Sequence, residues 1–217
     1  MNALLAAAKS AAPSSAVILT QLEEITRTLM PLAIAWHLAA AVVLIALARG
    51  WRPARRWAAV LLAAPVASAA VAALAWRNPF NGAVLGGLAI ALIILGWRLG
   101  RDRVVGAAGP WWWFGVAMIG FGWLYPHFVH QRGAAFYLFA APTGLIPCPT
   151  LSLIIGFTLL GGGLGSRAWS LLLAGVSLFY GLFGVFQLGV WLDIVLVGGA
   201  TVVHAAALRR GKPTYGR

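Results

Sequence analysis

The chain has 217 residues, of which 62% are hydrophobic and 9% charged. A soluble fold of this size has no core large enough to hide that much apolar surface, whereas a bilayer serves as solvent for an apolar exterior. The formal net charge is +12, from 16 Lys and Arg against 4 Asp and Glu. The basic residues fall in short clusters between apolar runs, which reads as membrane topology rather than a nucleic-acid footprint. One cysteine, Cys148, excludes an internal disulfide.

Residues 1–15 are Ala-rich, and Lys9 comes too late for the basic start of a signal peptide, so residues 1–30 are expected to stay as a tail and a short helix. Ser14 and Ser15 can cap a helix over 16–29. Its apolar positions Val17, Ile18, Leu22, Ile25 and Leu29 recur at helical spacing, opposite Gln21, Glu24 and Thr28. That pattern predicts an amphipathic helix lying on the membrane surface. Pro31 opens a single transmembrane domain over 31–208, followed by a basic tail, 209–217.

Seven apolar runs follow, at 31–48, 57–76, 83–97, 111–129, 150–164, 168–187 and 190–208. A crossing needs about 20 residues, so 83–97 and 150–164 look short. Only Gln187, Gly189 and Asp193 divide the last two runs, which predicts a tight turn or a re-entrant hairpin there. The first, third and fifth connections and the tail carry twelve basic residues: Arg49, Arg52, Arg55, Arg56, Arg98, Arg101, Arg103, Arg167, Arg209, Arg210, Lys212 and Arg217. The other side has four, Lys9, Arg27, Arg77 and Arg132. The expected fold is an all-α bundle of about seven transmembrane helices in a bacterial cytoplasmic (inner) membrane. Its N-terminus lies outside and its C-terminus in the cytoplasm. Trp51, Trp57 and Trp111–Trp113 fall at the inner boundary as interfacial anchors.

This topology gathers the chemistry at the outer end. His37 lies six residues past Pro31, about 9 Å into a span. Tyr125, His127 and His130 close the fourth span, Arg77, Asn78 and Asn81 form the second connection, and Gln187 and Asp193 flank the last turn. Pro147-Cys148-Pro149-Thr150 opens the fifth. Pro149 suits the first turn of a helix, and a residue before proline is pushed extended, so Cys148 is expected to be extended beside a helix start. Free N–H groups at such a start favour negative charge. The apolar loop Phe136–Ile146 before it can dip into the membrane, as broken helices do in transporters. Asp193 is the only acid in the later runs, where an acid at bilayer depth usually has a role. An ion pair with Arg77 or Arg132 is the structural alternative. The Gly86-Gly87, Gly161-Gly162-Gly163 and Gly198-Gly199 steps are expected to permit close helix packing. His204 stands alone near the inner end.

The pieces Asn78-Pro79-Phe80-Asn81, Tyr125-Pro126, Pro147-Cys148-Pro149-Thr150 and Leu188-Gly189-Val190 followed by Asp193 resemble an uncharacterised bacterial family of small polytopic membrane proteins. The Pro-Cys-Pro-Thr piece is the distinctive one. The resemblance implies a multi-span fold, no assigned activity, and Cys148 and Asp193 as shared positions.

Three readings follow. The first is a transport or channel-like protein that takes a small solute or ion at an outward pocket formed by His37, Tyr125, His127, Cys148, Thr150 and Asp193. The second is a metal-binding or redox protein in which Cys148, His127, His130 and His37 hold copper or zinc, although the sequence requires no cofactor. The third is a non-catalytic subunit or assembly factor whose partner is a second copy or a membrane complex. There is no Gly-x-Ser-x-Gly, no His-Glu-x-x-His and no paired acids within the spans, which disfavours an intramembrane hydrolase.

Overall fold

The computed structural model describes residues 14–126, 128 and 133–209. The chain is 80% helical without a strand among these residues; one isolated bridge joins Ala54 and Arg103. The α-helices are α1 (Ser15–Thr28), α2 (Met30–Ala48), α3 (Arg55–Ala75), α4 (Pro79–Trp97), α5 (Pro110–Leu124), α6 (Tyr137–Ala140), α7 (Pro147–Leu160), α8 (Arg167–Leu182) and α9 (Ile194–Arg209). Among the described residues five helical stretches are long and apolar enough to cross a membrane: α2, α3, α4, Arg167–Gln187 and Trp191–Arg209.

Caps and breakers decide the lengths. The run at 83–97 belongs to a full 19-residue helix, because the Asn78 cap starts it at Pro79, four residues earlier. The Asn78 side chain accepts the Asn81 N–H, and Pro79 sits in the first turn where no N–H is needed. The run at 111–129 stops short, at Leu124. Tyr125 precedes Pro126 and leaves the helical region (φ −33°, ψ 100°), which ends the helix. His127 and His130 lie outside the described residues. The run at 150–164 ends at Leu160. Gly161–Gly163 does not serve helix packing as expected. Gly162, Gly163, Leu164 and Gly165 all have φ between 52° and 66° and turn the chain out of α7. At about 1.5 Å per residue, α5 and α7 reach only about 22 Å.

The short α7 sits in the middle, touching α3, α5, α8 and α9. Among its residues only Cys148 and Leu160 are not buried. Its partner is α5, and glycines set their separation. A Cβ on Gly122 would lie 2.6 Å from the Pro149 carbonyl oxygen and 2.8 Å from Leu153 N, and one on Gly115 would lie 3.0 Å from the Gly156 oxygen. Leu151, Ile154 and Ile155 of α7 join Leu85, Leu92, Leu173 and Leu196 in the main core.

The N-terminal helix begins where expected, with Ser14 accepting the Val17 N–H. Its stripe is divided. Leu22 and Ile25 are buried in a cluster with Tyr125, Phe128, Leu145 and Ile146, while Val17 stays exposed. α1 therefore covers one end of the bundle.

The arginine-bearing connections meet at the opposite end. Arg55 N–H donates to the Asp102 carbonyl, Val104 N–H to Pro53 and Ala107 N–H to Leu160. The Arg209 guanidinium lies 5.5 Å from the centre of the Trp111 ring. Connections one, three and five and the end of α9 thus share one end of the molecule.

Gly122→Ala is expected to destabilise the bundle by about 1–3 kcal/mol, the usual cost of overpacking. Gly120→Ala, where a Cβ meets nothing within 4 Å, should be neutral. Thermal unfolding in detergent compares the two, and equal midpoints would contradict the glycine-set approach of α5 and α7.

Candidate functional site

At the α1 end the last turn delivers one acid into the protein. Helix α8 runs on into a wide π turn, Phe183–Gln187, and Gly189 then takes a φ of 71°. Leu188 N–H donates to Phe183 O at 3.1 Å and Val190 N–H to Gly184 O at 2.9 Å. A single 3₁₀ turn, Trp191–Asp193, leads into α9 and places Asp193 at 1% exposure. Gly184 makes this arrangement possible, because a Cβ there would overlap the Asp193 carboxylate. Wide turns of this kind recur at functional sites.

Asp193 accepts two side-chain hydrogen bonds. Tyr125 Oη donates to Oδ1 at 2.7 Å and Cys148 Sγ to Oδ2 at 3.1 Å. These come from the end of α5 and the first turn of α7. The acid is thus held by a hydroxyl and a thiol rather than by Arg77, and the 4 Å ion pairs among the described residues do not include it. Arg132 lies outside the described residues. A second polar pair stands nearby. Tyr180 Oη donates to Asn81 Oδ1 at 3.1 Å, and Asn81 N–H donates to Asn78 Oδ1 at 3.0 Å.

These groups face a cavity of about 280 Å³. Its polar wall is Asn78, Asn81, Tyr125, Cys148, Tyr180 and Asp193, and Gln187 also reaches it. Phe80, Phe128, Phe183 and Val190 make it largely apolar elsewhere, and Ile18 and Leu22 of α1 close over it. Ser15 Oγ donates to the Gln187 carbonyl at 2.7 Å and pins α1 to the π turn. A volume of a few hundred Å³, mostly apolar with a few convergent polar groups, is typical of a small-molecule site.

Of the six expected pocket residues, Tyr125, Cys148 and Asp193 meet here. Cys148 is helical rather than extended. Helix α7 begins at Pro147, and the extended residue is Ile146 (φ −127°, ψ 159°), before the first proline instead of the second. Thr150 is fully buried behind the wall. It donates to Ile146 O at 2.6 Å and accepts the Gly144 N–H at 2.8 Å, locking the turn before α7. The loop expected to dip inward contains α6 and then buried, non-helical backbone over 141–146. His37 is buried away from the cavity. Its ring nitrogens lie 2.8 Å from Ala33 O and 3.0 Å from Trp123 O, and its ring packs edge-on to Trp123. It joins α2 to α5. His204 is exposed on α9. His127 and His130 lie outside the described residues.

Tyr180 is the functional-wall residue that sequence reasoning missed. Its signal was the helical spacing Tyr180–Gly184–Gln187, one stripe leading to the turn. Among the described residues no three of His, Cys, Asp and Glu converge to hold a metal. Cys148 and Asp193 provide one sulfur and one carboxylate toward such a site.

No family model matches the chain, and no curated protein or solved structure matches it either. The resemblance to the uncharacterised family rests on its motif pieces alone.

Tyr125→Phe is expected to cost about 1.5–3 kcal/mol, the range for hydrogen bonds to charged groups. Cys148→Ala should cost less, since a thiol is a weak donor. Gly184→Ala displaces the shared acceptor, so with Tyr125→Phe its effect should be less than additive by about 0.5–3 kcal/mol. Unfolding of the two single variants and the double variant measures that coupling, and strict additivity would contradict the Asp193-centred arrangement.

Proposed function

We propose that this is a multi-pass bacterial cytoplasmic-membrane protein of the transport type, whose cavity beside Asp193 takes a small solute or ion from the outer face. The observation that carries the reading is the cavity itself. It brings the one deeply buried acid, the single thiol and two tyrosines to an opening covered by a separable helix. Seven helices, α2–α5 and α7–α9, give the crossings, with N-terminus out and C-terminus in. The twelve-to-four division of basic residues supports this orientation. The short α5 and α7 fit a bundle in which central helices are shielded from lipid by neighbours and need not span its full depth.

Broken backbone supports the same role. Helix α7 starts inside the protein after the buried segment 141–146, as discontinuous helices do where transporters bind their solutes. Directly inward of Cys148, Leu151, Ile154 and Ile155 are buried in the main core. Passage through the bundle therefore takes a rearrangement, which favours a carrier over an open channel. α1 is the element best placed to move, since Ser15, Ile18 and Leu22 are among its holds on the site.

The Cys148–Asp193 contact is the observation that favours the second reading, a soft metal or redox site. Metal analysis of the purified protein and of Cys148→Ala tests it. Copper or zinc bound in proportion to protein and lost in the variant would replace the carrier reading.

Cys148 is the single cysteine, so thiol labelling reports this site alone. In intact cells a charged, impermeant methanethiosulfonate is expected to label Cys148 slowly. Labelling should accelerate about tenfold with Ser15→Ala and Leu22→Ser, which removes roughly 1.4 kcal/mol of closure. Labelling only in inside-out vesicles would reverse the orientation.

In proteoliposomes, a solute that protects Cys148 from labelling should be taken up by the wild type. Uptake should be lost in the double variant Cys148→Ala, Asp193→Asn, while His37→Gln keeps it, being outside the cavity. Unchanged uptake by the double variant would refute the site.

A further inference from the structure

A second cavity, of about 340 Å³, opens at the arginine end, away from Asp193. Arg55, Gly106, Ala108, Trp111, Gly162 and Gly165 are among its walls. Three features of its chemistry agree. The Arg55 guanidinium is part-buried and weakly engaged: its Nη2 lies 3.9 Å from Asp102 Oδ2, and the Asp102 side chain is 75% exposed. Ala107 N–H donates to Leu160 O, but the amides of Gly106 and Ala108 on either side of it make no hydrogen bond among the described residues. A second cation, Arg209, stands over the Trp111 wall.

The backbone makes room for this guanidinium. Gly165 adopts a φ of 66°, and a Cβ there would come within 2.8 Å of Arg55 Nη1. The Arg55 main chain is fixed by its bond to the Asp102 carbonyl and the bridge of Ala54 to Arg103. The result is a concavity with the Arg55 guanidinium on one side and the exposed Gly106–Ala108 backbone, whose outer two amides have no hydrogen bond among the described residues, on the other. That set matches a tetrahedral phosphate monoanion, which guanidinium binds through paired hydrogen bonds and backbone amides complete.

We infer that this cavity is a binding site for a phosphate group, carried by the headgroup of an anionic phospholipid in the leaflet that meets the arginine end. Basic pockets between membrane helices hold such headgroups, and the exposed Trp51, Trp57 and Trp112 are suited to headgroup level. The site is independent of the Asp193 cavity and of whatever that cavity takes.

The test uses the full chain reconstituted in phosphatidylcholine nanodiscs with a minor fraction of phosphatidylglycerol. Lipid retained after detergent extraction is counted by native mass spectrometry. Phosphatidylglycerol should be enriched over its share of the bilayer. Arg55→Gln should lower that enrichment about fivefold, equivalent to about 1 kcal/mol for one arginine at the surface. Arg55→Lys should restore part of it. Ala108→Glu places a carboxylate at the mouth with Arg55 intact, so it should lower retention even if Arg55→Gln fails to fold. Arg98→Gln, outside the cavity, should stay within twofold of wild type.

Inorganic phosphate, added to the protein in neutral detergent, separates the sources. Stabilisation by phosphate that Arg55→Gln abolishes, without phosphatidylglycerol enrichment, assigns the site to a soluble phosphate. Equal losses in Arg98→Gln and Arg55→Gln would show diffuse charge attraction and overturn the site. So would wild-type retention in Ala108→Glu, or no response to either probe.

Discussion

The α1 end of this bundle is organised by the need to satisfy one carboxyl group. Taking a carboxyl group out of water is costly unless hydrogen bonds inside the protein replace those it loses. Asp193 finds two, Tyr125 and Cys148, each from a different helix. Neither partner is a cation, so among the described residues the acid is held by hydrogen bonds rather than by an ion pair. The local geometry follows from that requirement. The π turn and Gly184 bring the carboxyl group in, the end of α5 at Tyr125 supplies the hydroxyl, and the first turn of α7 supplies the thiol.

The same requirement explains why α5 and α7 are short. Each stops or starts where a polar side chain must reach the site, at Tyr125 and at Cys148. Helices too short to face lipid across its whole depth need shelter. α7 obtains it from α3, α5, α8 and α9, and the close approach at Gly115, Gly122 and Gly156 removes the lipid-sized gap that side chains would leave. Non-helical backbone over 141–146 is tolerable at that depth because it too is buried in protein, with Thr143 donating to Gly122 O and Thr150 accepting from Gly144. Local irregularity and central position are two sides of one constraint.

Much of this was legible in the chain because membrane constraints act on composition. Seven apolar runs correspond to seven helices, and the pairing of basic connections predicted which loops would share an end. The alternation of connections leads one to expect Tyr125, Cys148 and Asp193 at one end, and the three side chains do meet. The failures have local causes. Proline written twice, at 147 and 149, hides which one starts the helix, and the start at Pro147 puts Cys148 inside the first turn rather than before it. His37 and Thr150 share the depth of the site but spend their polar atoms on backbone carbonyls and amides, and depth does not report which way a side chain turns. Tyr180 was overlooked because a tyrosine inside an apolar run has no polar neighbour to mark it. Only the partner across the cavity, Asn81, gives it meaning.

The two ends of the molecule solve opposite problems. At the arginine end the loops are tied to each other by backbone bonds, Ala54 to Arg103, Val104 to Pro53 and Ala107 to Leu160. At the Asp193 end the cover is α1, a 14-residue helix joined to the π turn by Ser15 and to the bundle through Leu22 and Ile25. A helix of that length has little stability of its own in water and depends on the surface it lies on. The amphipathic pattern that first suggested a surface helix and the buried contacts of Leu22 and Ile25 are therefore compatible. The stripe divides between them, with Leu22 and Ile25 turned into the bundle and Val17 left exposed.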